Sequence, residues 1–232
     1  MQKYRMRRVI GLLLVAVFGW LVANYAGNQP ETTPASGETA RPAPPNVGSA
    51  AEALEKLPVK GRAPKTGYSR EQFGPGWESK LGCDTRNTIL HRDLADVKTD
   101  EKCRVVSGTL NDPYTGTLIQ FVRGESTSPL VQIDHVVALS DSWQKGAQQL
   151  SYERRVALAN DPLNLLAVDG TANQEKSDSD AASWLPPQKA FRCQYVARQI
   201  AVKKTYELWV TASEKTAMQR VLAACPSEPL PY

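Results

Sequence analysis

The chain contains two histidines, His91 and His135. His135 stands beside a carboxylate in an apolar run, Ile133-Asp134-His135-Val136-Val137. Further along come Pro162-Leu163-Asn164-Leu165-Leu166 and then Asn173-Gln174-Glu175-Lys176-Ser177-Asp178. These are the residue types that hydrolysis of a phosphodiester requires. Water must lose a proton to a group that titrates near neutrality, which suits histidine. A divalent cation must neutralise charge on the phosphate and the leaving oxygen, and hard cations take oxygen ligands. Asp134 offers a carboxylate and Asn173 an amide oxygen. Lys176 follows Asn173 by one helical turn, so on a helix both share a face and an ammonium could meet the same phosphate.

Those residues need elements to hold them. Residues 130–139 read as an extended run carrying Asp134 and His135, and residues 163–168 as a short buried strand. Residues 170–178 suit a short helix. Neighbouring strand residues point to opposite faces, so Asp134 and His135 can share a metal only at a strand end or a bulge. Residues 103–110 and 117–122 are rich in Val, Thr, Ile and Phe and flank Asn111-Asp112-Pro113-Tyr114-Thr115-Gly116, which predicts a hairpin. Residues 50–57 and 152–159 read as helices. Toward the C-terminus, Cys193, Val196, Ala197 and Ile200 recur at helical spacing, as do Met218, Val221, Leu222 and Cys225. Thr211 and Glu214 form a capping-box pair ahead of the second of these helices.

The 232 residues allow one ordinary domain with extensions. The formal charge of +4 comes from Lys3, Arg5, Arg7 and Arg8; without them 24 basic residues face 24 acidic ones. Phosphate binding must therefore come from a local patch or a metal, not from the field of the whole molecule. The four cations precede an uncharged, Leu- and Val-rich run over residues 9–23, the shape of a signal peptide or a short signal anchor. Ala23 and Ala26 are candidate cleavage points. Either form exports the domain, as a secreted protein or as one tethered outside the cytoplasmic membrane. The expected organisation is a signal over 1–26, a Pro-, Ala- and Thr-rich linker over 27–56 and a catalytic domain over 57–232, its fold beginning near Tyr68. Lys60, Arg62, Lys65 and Arg70 could form a basic arm or a solvated lead-in. Export favours two disulfides among Cys83, Cys103, Cys193 and Cys225. Three connectivities are open, of which Cys83–Cys103 with Cys193–Cys225 is favoured because it closes local loops within separate segments.

The order Asp-His-Val-Val, Asn-Leu, Asn-x-x-Lys-Ser-Asp resembles the HNH, or His-Me finger, nucleases, including the HNH domain of RNA-guided CRISPR nucleases. Over residues 68–225, Gly82-Cys83-Asp84-Thr85-Arg86-Asn87, Asp112-Pro113-Tyr114-Thr115-Gly116 and the stretch from Gln132 through Trp143-Gln144-Lys145-Gly146 are similar to exported actinobacterial proteins. Those proteins carry the domain found at the C-terminus of GmrSD-type restriction endonucleases. The resemblance implies an α+β fold with a ββα-metal core, an N-terminal hairpin region and C-terminal helices, which the two expected disulfides would staple. It implies His135 as general base, Asp134 and Asn173 as ligands of a divalent cation, Asn164 fixing the loop that orients His135, and Lys176 on phosphate. Mg²⁺ is the expected cation, with Mn²⁺, Ca²⁺ and Zn²⁺ as alternatives. Nucleic acid is the expected substrate, DNA ahead of RNA, with 5′-phosphate and 3′-hydroxyl products, and the chain is expected to act as a monomer. Two positions depart from the pattern: Ala138 stands where the family often has proline, and Asn173 replaces the last histidine of the three-letter motif. Asp84 and Arg86 are candidates for a supporting or phosphate-contacting role, against a plain turn network. His91 reads as a surface helix residue, and Trp143 and Trp184 as core. The alternative function is a non-catalytic envelope or nucleic-acid-binding module that keeps the fold.

Overall fold

The computed structural model describes residues 48–231. The charged N-terminus, the apolar run, the candidate cleavage points and most of the expected linker lie outside the described residues. Helix α1 (Ala50–Lys56) opens the packed body, with the Ser49 hydroxyl accepting from Glu52 N. Ala50 and Leu54 are fully buried in a cluster with residues of α6 (Arg192–Thr205) and α7 (Ala212–Leu222). Ser49 bridges to Pro229, and Ala50 N donates to Glu228 O. The body therefore begins ahead of the expected boundary at Leu57, because α1 supplies apolar surface that the C-terminal helices need covered.

A two-residue ribbon, β1 (Ser79–Lys80) with β2 (Cys83–Asp84), leads into α2 (Thr85–Asp93). The Asp84 carboxylate caps that helix by accepting from Asn87 N at 2.7 Å. A three-stranded antiparallel sheet follows in the order β3 (Leu94–Thr99), β4 (Val105–Asn111), β5 (Leu118–Val122). The predicted hairpin is β4 with β5. Strand β3 escaped sequence reading because its residues are mostly exposed and show no apolar alternation.

Strand β6 (Val131–His135) pairs antiparallel with β7 (Leu165–Asp169), with His135 opposite Leu165 and Ile133 opposite Ala167. Between them lie α3 (Leu139–Gln144) and α4 (Tyr152–Asn160). The extended run thus ends at His135, and residues 139–144 turn helical. Helix α5 (Gly170–Lys176) follows β7 without a loop. This close turn requires glycine, since a Cβ at Gly170 would collide with the Pro129 carbonyl. β6, β7 and α5 form a strand–strand–helix unit. The free edge of β7 is closed by side chains: Arg92 donates to Leu165 O, while Ala167 N and Asp169 N donate to Asp93 and Asp112. The whole is a mixed arrangement of small antiparallel sheets and seven α-helices among the described residues. Both favoured disulfides are present. Cys83–Cys103 joins the start of α2 to the β3–β4 turn, and Cys193–Cys225 joins the start of α6 to the chain after α7.

Candidate active site

His135 ends β6 and is almost entirely buried. Its Nε2 lies 2.9 Å from the carbonyl oxygen of Ala159, in the last turn of α4. A carbonyl can only accept, so Nε2 carries the hydrogen and Nδ1 keeps the lone pair. The bond also satisfies one of the carbonyls that a helix C-terminus leaves unpaired. On its flank the indole of Trp77 stacks at 5.6 Å and 17°. Burial drives the imidazole down to about 3, opposed by the Ala159 carbonyl and reinforced by the charges of Arg70 and Lys176. The ring is thus held neutral and in one tautomer, with Nδ1 as the acceptor.

Asn164 holds the turn that follows. Its side-chain Oδ1 accepts from Val137 N at 2.8 Å, its backbone carbonyl accepts from Val136 N, and Nδ2 donates to the carbonyls of Val137 and Leu158. Every polar group of this fully buried amide side chain is paired. Ala138, where the family pattern has proline, has a φ of −56°, which is the value a proline ring imposes. The local path is proline-like without the proline.

Asp134 points the other way from His135, as the strand period demands. Its Oδ2 accepts from the Tyr114 hydroxyl, and its Oδ1 from Lys176 Nζ at 2.9 Å. Burial pushes this carboxyl up, and Lys176 and Tyr114 pull it back without cancelling the rise. Tyr114, fully buried, is held well above the usual phenol range, so it remains the donor. Lys176 is 0% exposed and also donates to His135 O at 2.9 Å. This corrects the expectation that Lys176 contacts phosphate. Its ammonium neutralises Asp134 and braces the backbone of His135, because a buried carboxylate requires a paired cation.

Asn173 lies on α5, and its Nδ2 donates to Gln132 Oε1 at 2.8 Å. That bond fixes the amide and leaves Oδ1 without a donor among the described residues. Gln132, Asp134, His135 and Asn173 line one cleft, together with Lys65, Arg70, Ser140 and Asp178. The donor set suits a hard cation in kind: one carboxylate and one free amide oxygen on adjacent elements, with water completing the sphere. Asp134 has both oxygens engaged, so it offers a cation only its remaining lone pairs. Elsewhere among the described residues, Cys193, Cys225 and Glu228 cluster closely enough to hold a metal, but the two sulfurs form a disulfide.

Asp84 and Arg86 do not reach the cleft. Asp84 caps α2, and Arg86 Nη2 donates to Val131 O where β6 begins. Arg86 therefore anchors the strand that carries the site. His91 is exposed at the end of α2, Trp143 is core, and Trp184 packs on Tyr114 and Tyr195. Sequence reasoning missed Tyr114, Trp77 and the Ala159 carbonyl. The Asp112-Pro113-Tyr114 turn was visible, but nothing in the pattern linked it to Asp134.

The arrangement is a cleft with a fixed neutral histidine, a braced carboxylate and an open amide oxygen on a strand–strand–helix unit. Residues 84–221, well over half of the chain, match the family described as GmrSD restriction endonucleases, C-terminal domain. The chain belongs to that family. It is also 40% identical over 190 residues to an uncharacterized secreted protein of Arthroderma benhamiae, covering 79% of this chain and 90% of the relative. No solved structure matches the chain. Among the described residues no helix is long and apolar enough to cross a membrane.

Proposed function

We propose that this protein is an exported, metal-dependent endonuclease that hydrolyses phosphodiester bonds of nucleic acid, with His135 as the general base. The observation that carries the proposal is the bond from His135 Nε2 to Ala159 O. It commits Nδ1 to accepting a proton, and the imidazole belongs to a residue that lines the cleft. Burial disfavours the imidazolium that forms, and the Ala159 carbonyl at the C-terminal end of α4 and the Trp77 face offset part of that cost. Asn164 keeps the ring at a constant height by holding the turn after it. Asp134 and Asn173 are the residues that would hold a divalent cation, most simply Mg²⁺. Bound there, the cation supplies charge neutralisation at the phosphate and the leaving oxygen. Lys176 and Tyr114 keep the Asp134 carboxylate in one orientation. Family membership supports a nuclease of the restriction-endonuclease kind, and the secreted relative supports export.

Digestion of plasmid DNA and of RNA by the purified protein tests the proposal. Cleavage should stop in excess chelator and return with Mg²⁺ or Mn²⁺, leaving 5′-phosphate ends. Activity that persists in chelator would remove the metal from the mechanism.

A further inference from the structure

The lead-in stretch carries four cations, and three are committed. Lys60 lies 5.0 Å above Trp209, Arg62 pairs with Asp141 and Asp180, and Lys65 pairs with Asp178. Arg70 is exposed and has no ion-pair or hydrogen-bond partner among the described residues. It lines the cleft of Asp134 and Asn173 and also a second pocket that shares His135 and Leu139 with it. That pocket is walled by Phe73, Pro75, Trp77 and His135, with Glu71 at its rim. Its volume is about 230 Å³, against the roughly 10–15 Å³ that admits one water. That is room on the scale of one planar heterocycle rather than of a helix or strand of a partner protein.

The pocket is built, not incidental. Arg155 holds Gln72 through its backbone carbonyl and its side chain, at 2.8 and 3.1 Å. Glu78 N donates to Asn160 Oδ1 at 2.9 Å. Both anchors come from α4, the helix whose carbonyl orients His135. Phe73 is buried against Tyr68 and Trp143. The segment between the anchors thus stands at a fixed height beside the imidazole. An unpaired guanidinium next to an aromatic wall is the pairing that binds a nucleotide: the cation meets phosphate and the ring meets base. A base stacked and paired in a duplex cannot enter such a pocket, whereas an unpaired one can. Glu71 suits this polarity, since a carboxylate accepts from base N–H groups and repels a second phosphate.

We propose that Arg70 and Trp77 form a subsite for one unpaired nucleotide beside the phosphate at His135, the guanidinium on its phosphate and its base in the Trp77-walled pocket. Both residues precede the matched stretch 84–221, so the family match assigns them no role. The proposal rests on the nuclease reading for the neighbouring phosphate and names the substrate class as single-stranded or locally unpaired nucleic acid.

The test is equilibrium binding of the full chain to a fluorescent single-stranded DNA with phosphorothioate linkages, which resist hydrolysis, at several salt concentrations. Arg70→Ala should weaken binding roughly tenfold and reduce the salt slope by about 0.7, the share of one phosphate on a single strand. Lys98→Ala, on exposed β3 away from both pockets, should change neither. With 5-iodouracil in the oligonucleotide, photocrosslinking should label the tryptic peptide of residues 71–80. Arg70→Ala with unchanged affinity and slope, labelling only outside that peptide, equal or tighter binding of the matching duplex, or no binding by the unaltered chain would each overturn the proposal. Binding and labelling as expected, with no cleavage under any condition, would leave the subsite standing and defeat the nuclease reading. Cleavage with Arg70→Ala binding as tightly as the unaltered chain would do the reverse.

Discussion

At the scale of single residues, adjacent positions do opposite work. The two-residue period of β6 sends Asp134 to Tyr114 and Lys176 and leaves His135 for Ala159 and Trp77. The sequence already posed this conflict, because Asp-His on a regular strand cannot aim both side chains at one point. What it could not reveal is the partner of Lys176. Helical spacing with Asn173 suggested a phosphate contact, whereas burial of the ammonium makes it the counter-charge of Asp134. Lys176→Met should therefore cost about 3–5 kcal/mol of stability, since it strands a buried carboxylate. Denaturant titration measures this. A variant of unchanged stability with weakened nucleic-acid binding would return Lys176 to the phosphate.

Elements with strong local signals were legible and those without were not. The hairpin of β4 and β5 followed from β-rich runs around a turn. The capping box at Thr211 and Glu214 is present, and the apolar spacing marked α6 and α7. Strand β3 is solvated and carries no alternation, and α3 begins inside an apolar run that reads equally well as strand. The packing of α1 on the C-terminal helices depends on contacts far apart in sequence, which no local pattern carries. The disulfides tie such elements together. Cys193–Cys225 spans 32 residues and Cys83–Cys103 spans 20. Loop closure gives roughly 3–4 kcal/mol for the first and about 3 for the second. Replacing Cys193 and Cys225 by alanine should lower the unfolding midpoint more than replacing Cys83 and Cys103. The opposite ranking would show that strain or residual structure, not loop length, governs these bonds.

Across the whole molecule, a buried ionic network joins segments that the sequence keeps apart. Lys145, after α3, contacts Asp141, Asp180 and Glu214 at 2.7–2.8 Å, and Lys203 on α6 contacts Glu214 at 3.0 Å. Arg62 reaches in from the lead-in stretch to Asp141 and Asp180. Three cations balance three carboxylates, so the cluster is neutral as a unit. Burial pushes Asp180 up, but Lys145 and then Arg62 hold it below its ordinary 3.8. A depressed carboxylate stabilises the fold above its ordinary value and loses that contribution as pH falls through the folded one. Lys145→Met should thus cost about 3–5 kcal/mol at neutral pH, and the deficit should narrow below pH 3.8 as Asp180 protonates. A deficit independent of pH would mean that packing, not charge, is lost. The network and the disulfides tie together the segments that frame the cleft, in which His135 is proposed to remove the proton from water. The most direct measurement is the single-turnover cleavage rate of His135→Ala beside the unaltered chain, with circular dichroism of both. A loss of about 10²–10⁴-fold with the fold retained is expected; an unchanged rate in a folded variant would remove His135 from the mechanism.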